Sequence, residues 1–316
     1  MAPRPPVRRT RRTLLAALVA ASVALPVAAE ARPSAVPAPA PAALSPLRSV
    51  TPAALDGRYA AVRRDILAAE RTAGAHGDHR RAAALEAMAA PGRHFLSFDG
   101  RDGGRSAEVV GDLSRADRIA VLVPGSDTGP ETYGRLRAGA TALAERLGAR
   151  SAVVAWLGYR TPAAASAAAL TPGRADAAAG ELRGFIEELR RATPRARVSV
   201  LCHSYGSVVC GRAAAGLDVA DLVLYGSPGT GAPDVAALHT RATVWAGRAA
   251  GDWIAEVPHT RLQLPFTTVG FGADPVSPAF GARLFAAGDG GHSDYLRPGS
   301  VPLDSIARIV TGHGRA

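Results

Sequence analysis

A chain of 316 residues, 47% of them hydrophobic, has the apolar content for a sizeable core and the length for one large domain or two small ones. Its formal net charge is +10, and all 37 basic residues are Arg. After the N-terminal region they are scattered, without the aromatic-interleaved basic runs of a nucleic-acid surface, which argues against a nucleic-acid partner.

Residues 1–31 read as a targeting segment. Arg4, Arg8, Arg9, Arg11 and Arg12 form a basic start, and Leu14 to Pro26 is an apolar stretch too short to span a bilayer. Small residues follow, so Val27-Ala28-Ala29 or Ala29-Glu30-Ala31 suits a signal peptidase. Thr10-Arg11-Arg12-Thr13-Leu14-Leu15 fits a twin-arginine signal, with a general secretory signal as the alternative. Cleavage removes five Arg and one Glu and lowers the net charge from +10 to +6. The expected product is secreted or held in the cell envelope, with no stable transmembrane anchor.

Residues 32–50, rich in Pro, Ala and Ser, read as a flexible or polyproline-like linker. Residues 51–92 form a helical N-terminal segment with helices predicted over Pro52–Ala73 and Asp78–Ala89. Leu55, Tyr59, Val62, Ile66 and Leu67 share one face of the first. Residues 93–316 then alternate strand and helix patterns. Strands are predicted at Phe95–Phe98, Ala107–Val110, Ile119–Val123, Ala152–Leu157, Val198–Cys202, Leu222–Tyr225, Thr243–Trp245 and Arg283–Ala286. Helices are predicted at Glu131–Leu147, Ala177–Ala192 and Leu303–Val310. The alternation implies an α/β fold with a mostly parallel sheet covered on both faces, the first two strands forming an antiparallel edge. Reactive groups in such sheets gather at the carboxyl ends of the strands. The stretch Thr161 to Gly180 and the loop from Asp252 to Gly281 are the insertions expected to shape a pocket.

Cys202-His203-Ser204-Tyr205-Gly206 lies between the strand and a Pro-free, Ala/Val-rich helical stretch. A strand, one sharp turn and a helix lift a serine hydroxyl out of a sheet, so Ser204 is the candidate nucleophile. The pattern departs from G-x-S-x-G at Cys202, which is larger than Gly yet small enough for a close strand–helix approach. A serine hydroxyl needs an adjacent base, and the base needs an orienting acid. Asp252 follows the strand Thr243–Trp245, and His292 follows Arg283–Ala286 through Gly288-Asp289-Gly290-Gly291. This is the Ser, acid, His order expected for such a sheet. His259 is the second candidate base, with His76, His79, His239 and His313 further off. His203 should point away from the serine at the turn, and Asp274 and Asp289 compete with Asp252.

Two backbone N–H groups must stabilise the oxyanion of an acyl-transfer intermediate. Tyr205 supplies the first by position, and the loop Pro124-Gly125-Ser126-Asp127 the second. Pro124 has no N–H, so Ser126 stands ahead of Gly125. Cys202 and Cys210, in a chain bound for an oxidising compartment, are read either as a disulfide stapling the turn or as two buried thiols. No suitably spaced set of His and Cys suggests a bound metal, and the chemistry needs no metal or organic cofactor.

With these residues in hand, the chain resembles the α/β-hydrolase superfamily. More narrowly, it resembles a family of often exported α/β-hydrolases of high-GC Gram-positive bacteria that is filed as a domain of unknown function. The strings that carry the resemblance are LCHSYGSVVCGRAA at Leu201–Ala214, VLVPGSDT at Val121–Thr128, VWAGRAAGDWI at Val244–Ile254, DPVSPAFGAR at Asp274–Arg283 and GHSDYL at Gly291–Leu296. The resemblance implies an esterase-like fold with Ser204 as nucleophile, Asp252 as acid and His292 as base. The expected protein is a secreted serine hydrolase of carboxylic esters acting on a small-molecule or lipid-like substrate. An acyltransferase or amidase with the same residues, or a non-catalytic envelope binding protein, is the alternative; the oligomeric state stays open.

Overall fold

The structure is a computed structural model that describes residues 37–259, 262–264 and 267–314. The targeting segment predicted at 1–31 lies outside the described residues. Among the described residues ten strands follow one another as β1 (His94–Asp99), β2 (Arg105–Gly111), β3 (Arg118–Val123), β4 (Ser151–Leu157), β5 (Arg197–His203), β6 (Asp221–Tyr225), β7 (Thr243–Gly247), β8 (Leu262–Leu264), β9 (Thr267–Val269) and β10 (Arg283–Leu284). The helices are α1 (Pro52–Ala75), α2 (His79–Met88), α3 (Gly134–Leu147), α4 (Gly173–Ala192), α5 (Gly206–Ala213) and α6 (Val301–Val310).

Eight strands make one sheet in the order β1-β2-β4-β3-β5-β6-β7-β10. β2 runs antiparallel to both β1 and β4, and every pair from β4 to β10 is parallel. The parallel strands β3 to β7 are buried on both faces, which is why they read as continuous apolar runs, whereas the two residues of β10 are exposed. Their side chains still alternate between two cores. Ile119, Val121, Val123, Val198 and Val200 face one cluster with Leu182, Ile186 and Val208 from α4 and α5. Ala120, Leu122, Val153 and Leu201 face a second with Val62 and Ile66 of α1, Leu85 of α2, Leu143 of α3 and Ile306 of α6.

The N-terminal helices therefore belong to the same core as the sheet. Arg93 makes a bidentate ion pair with Glu108 of β2, with both contacts at 2.7 Å, and ties the end of this segment to the antiparallel edge. The described part of the stretch read as linker has no helix or strand, yet its Leu47 is buried and donates its N–H to Glu188 of α4.

Local differences from the sequence reading have physical causes. α4 begins at Gly173, four residues before the predicted Ala177. Pro172 presets the first turn, and the early helix buries only Ala175, Ala178 and Ala179, too small to signal an apolar stripe. β10 spans Arg283–Leu284 rather than Arg283–Ala286. The loop from Asp252 to Gly281 contains an unanticipated antiparallel pairing of β8 with β9. Among the described residues no helix is long and apolar enough to cross a membrane.

Candidate active site

β5 ends at His203, and α5 begins at Gly206. Between them Ser204 takes φ +51°, a left-handed conformation that costs a non-glycine residue energy and persists where surrounding contacts hold it. Its N–H donates to the Tyr225 carbonyl at 3.1 Å, anchoring the turn to β6. Gly206 is required by close approach, because a Cβ there would lie 2.5 Å from the Val123 carbonyl oxygen. On the facing loop, a Cβ on Gly125 would lie 2.6 Å from the Ser204 Cβ. Cys202 and Cys210 are joined in a buried disulfide that links the strand end to the helix around the serine.

The three loops meet at the carboxyl end of the parallel strands. Ser204 Oγ lies 2.9 Å from Nε2 of His292, and Nδ1 of His292 lies 2.8 Å from Oδ1 of Asp252. With Nδ1–H donating to the carboxylate, Nε2 is left with the lone pair that accepts the serine proton. Asp252 is buried, and its carboxylate also accepts the Ile254 N–H at 2.9 Å and the Tyr295 hydroxyl at 2.6 Å. Burial raises its pKa, but the hydrogen bonds from His292, Tyr295 and Ile254 outweigh that and hold it below the usual carboxylate value. A buried anion with three donors is a stable counter-charge for an imidazolium.

Two neighbours of this array were given no place in it by the sequence. Tyr295 accepts from the Ala249 N–H at 3.0 Å while donating to Asp252, so it bridges the loop of the acid and the loop of the histidine. Burial, then the adjacent carboxylate, pushes its hydroxyl pKa well up, which keeps it a donor. The string GHSDYL held this tyrosine, but nothing local marks its partner 43 residues away.

His203 was expected only to point away from the serine. It makes no bond to Ser204, yet its Nε2–H donates to the main-chain carbonyl of His292 at 2.7 Å and its ring lies 4.7 Å from that imidazole. Desolvation, then the proximity of His292, lowers its pKa to about 4, so it is neutral at physiological pH.

The loop after β3 is laced to the loop after β4. The Tyr159 hydroxyl donates to the Pro124 carbonyl at 2.7 Å, and Asp127 donates its N–H to Pro162 at 3.0 Å. Thr128 and Thr161 exchange hydrogen bonds at 3.1 and 2.8 Å. Among the described residues, neither the Tyr205 N–H nor the Ser126 N–H has an acceptor within the protein. The Tyr205 side chain is occupied elsewhere, donating to Thr171 at 2.7 Å.

The competing residues lie in other contacts. His259 has Nδ1 3.3 Å from the Val257 carbonyl and Nε2 3.6 Å from Asp274. Asp274 pairs with Arg248 at 2.7 Å, and Asp289 is exposed. His76 and His313 bond to Thr72 and Thr311. No group of three or more His, Cys, Asp or Glu able to hold a metal occurs among the described residues.

Residues 99–262 match the family described as "Alpha/beta hydrolase". The chain belongs to the α/β-hydrolase family. Among its relatives are two uncharacterized proteins of Mycobacterium tuberculosis. Rv2079 is 31% identical over 255 residues, covering 70% of this chain and 39% of the relative. Rv0963c is 34% identical over 178 residues, covering 49% and 66%. The chain thus spans well under half of the first and about two thirds of the second. Similar solved structures include an α/β serine hydrolase without a lid from Xanthomonas campestris, with 19% identity and a TM-score of 0.45, covering 71% of this chain and 94% of that one. A dienelactone hydrolase from Anabaena variabilis has 17% identity and a TM-score of 0.44, covering 70% and 95%.

Proposed function

We propose that this α/β-hydrolase family member is a secreted serine hydrolase that cleaves a carboxylic ester through an acyl-enzyme. The reading is carried by one observation: a single imidazole stands 2.9 Å from the hydroxyl of a serine in strained turn backbone and 2.8 Å from a buried carboxylate. In the first step Ser204 Oγ bonds to the ester carbonyl carbon while His292 Nε2 takes its proton. The N–H groups of Tyr205 and Ser126 receive the developing oxyanion. When the carbon–oxygen bond breaks, the proton passes from His292 to the leaving alkoxide, releasing an alcohol. Water then attacks the acyl-serine with His292 again as base, and the acid is released. Asp252 fixes the imidazole tautomer and stabilises its cation without itself becoming protonated. Export is supported by the basic and apolar start of the sequence and by the buried disulfide.

The test is a series of p-nitrophenyl esters of rising acyl length, run on the wild type and on Ser204→Ala, His292→Ala and Asp252→Asn. The expected kcat/KM falls by about 10⁴-fold or more for the first two variants, with every fold intact by circular dichroism. Retention of wild-type turnover by Ser204→Ala would overturn the assignment.

A further inference from the structure

Trp253 follows the carboxylate Asp252 directly and is 56% exposed, whereas the other two tryptophans, Trp156 and Trp245, are buried. Its ring lies 4.7 Å from the His292 imidazole at an interplanar angle of 48°. His203 holds a ring at the same 4.7 Å separation from that imidazole, but uses it to bond the main chain of residue 292. The histidine is thus flanked by one polar ring with a hydrogen-bonding task and one large apolar ring facing solvent. Burial does not explain the exposed ring, since leaving so large an apolar surface in water forgoes the stabilisation of covering it.

The reaction geometry says what passes over that surface. The carbonyl oxygen of the ester must lie toward the N–H groups of Tyr205 and Ser126. The leaving oxygen must lie within reach of His292 Nε2, because the proton taken from Ser204 is delivered to it from that atom. Whatever is attached to the leaving oxygen therefore passes close to the His292 ring, beside which the exposed Trp253 ring stands at 4.7 Å. We infer that Trp253 is the surface that receives the alcohol part of the ester, and that this part is apolar at the carbons nearest the ester oxygen. The inference rests on the hydrolase reading above and adds the class of alcohol to it. An aryl or alkyl group on the alcohol covers the indole face and shields the proton-transfer path from water. A small or hydrophilic alcohol leaves both wet.

The experiment compares benzyl and 2-methoxyethyl esters, alcohols of similar acidity, on the acyl group that the p-nitrophenyl series shows to be turned over fastest. The wild type is expected to favour the benzyl ester by about 10-fold in kcat/KM, in line with what apolar contacts in a substrate site discriminate. Trp253→Ala should lose that preference and stay within about twofold of the wild type on the 2-methoxyethyl ester. Trp253→Phe should keep most of it. Hydrolysis of the acyl-enzyme, measured after a burst, should not change, because the alcohol has already left.

Equal loss on both esters in Trp253→Ala, or absence of a benzyl preference in the wild type, would overturn the inference. A second measurement needs no turnover: benzyl alcohol should slow fluorophosphonate labelling of the wild type more than 2-methoxyethanol does, and Trp253→Ala should erase the difference. Equal protection by the two alcohols counts against the inference. Labelling of Ser204 in both proteins without added alcohol separates this failure from failure of the hydrolase reading.

Discussion

Tyr295 is the residue whose removal most cleanly separates orientation from chemistry. Tyr295→Phe deletes the 2.6 Å bond to Asp252 and the acceptor of the Ala249 N–H, leaving Ser204 and His292 untouched. A hydrogen bond to a charged group is worth about 1.5–3 kcal/mol, so kcat should fall roughly 10-fold or more with KM little changed. The same variant tests the carboxylate. Asp252 has a lowered pKa in the fold, so its contribution is present above its unfolded pKa and is lost as pH falls through the folded value. Removing one of its donors raises the folded value, and acid unfolding of Tyr295→Phe should begin at higher pH than in the wild type.

His203 works through a proton it declines to bind. Its pKa of about 4 in the fold, against 6.5 when unfolded, means the unfolded chain holds a proton that the folded chain lacks between those values. Stability should therefore decline as pH falls from 6.5 to 4, by up to about 3 kcal/mol. His203→Gln keeps a donor for the His292 carbonyl and should flatten that decline in urea titrations across this window. An unchanged slope would remove His203 as its source. Ser204, Asp252 and His292 were legible because each follows a strand in the expected chain order. Tyr295 and His203 were not, since their partners come from 43 and 89 residues away and no local pattern encodes them.

Among the elements, the turn from β5 to α5 carries the most constraint. It holds a positive-φ serine, a glycine pressed against β3 and a disulfide spanning eight residues. Closing so short a loop in the unfolded chain is worth roughly 2.5 kcal/mol. Replacing Cys202 and Cys210 together with Ala should lower Tm by about 5–10 °C in a thermal melt. An unchanged Tm would show that the cross-link adds nothing to packing already sufficient. The sequence left a disulfide and two thiols equally open, because whether α5 runs back over β5 with the sulfurs in register is a matter of packing. The strands themselves were legible from β-branched runs. The start of α4 was not, because an alanine-only face buries well against the sheet but leaves no periodic mark.

At the scale of the molecule, the sheet order is what makes the site. β5 lies between β3 and β6, so the loop after β3 that carries Gly125 and Ser126 and the anchor carbonyl of Tyr225 flank Ser204 on either side. β7 and β10 then place the acid and base loops one and two strands beyond β6. Strand and helix alternation implied a parallel sheet, whereas the pairing order arises from long-range contacts. The packing of α1 and α2 into the second core was likewise undetermined by their amphipathic faces. A cavity of about 650 Å³ between the 41–47 segment, β1 and α4 has none of Ser204, Asp252 and His292 in its lining.

All of this depends on Ser204 being a nucleophile activated by its setting, and that can be read directly from a covalent mark. The purified protein is treated with a fluorophosphonate, digested, and the peptide containing residue 204 weighed by mass spectrometry. The account predicts a single adduct on Ser204, strongly reduced in His292→Ala and absent in Ser204→Ala. An unmodified Ser204 in the folded wild type, or a mark on another residue, would contradict it.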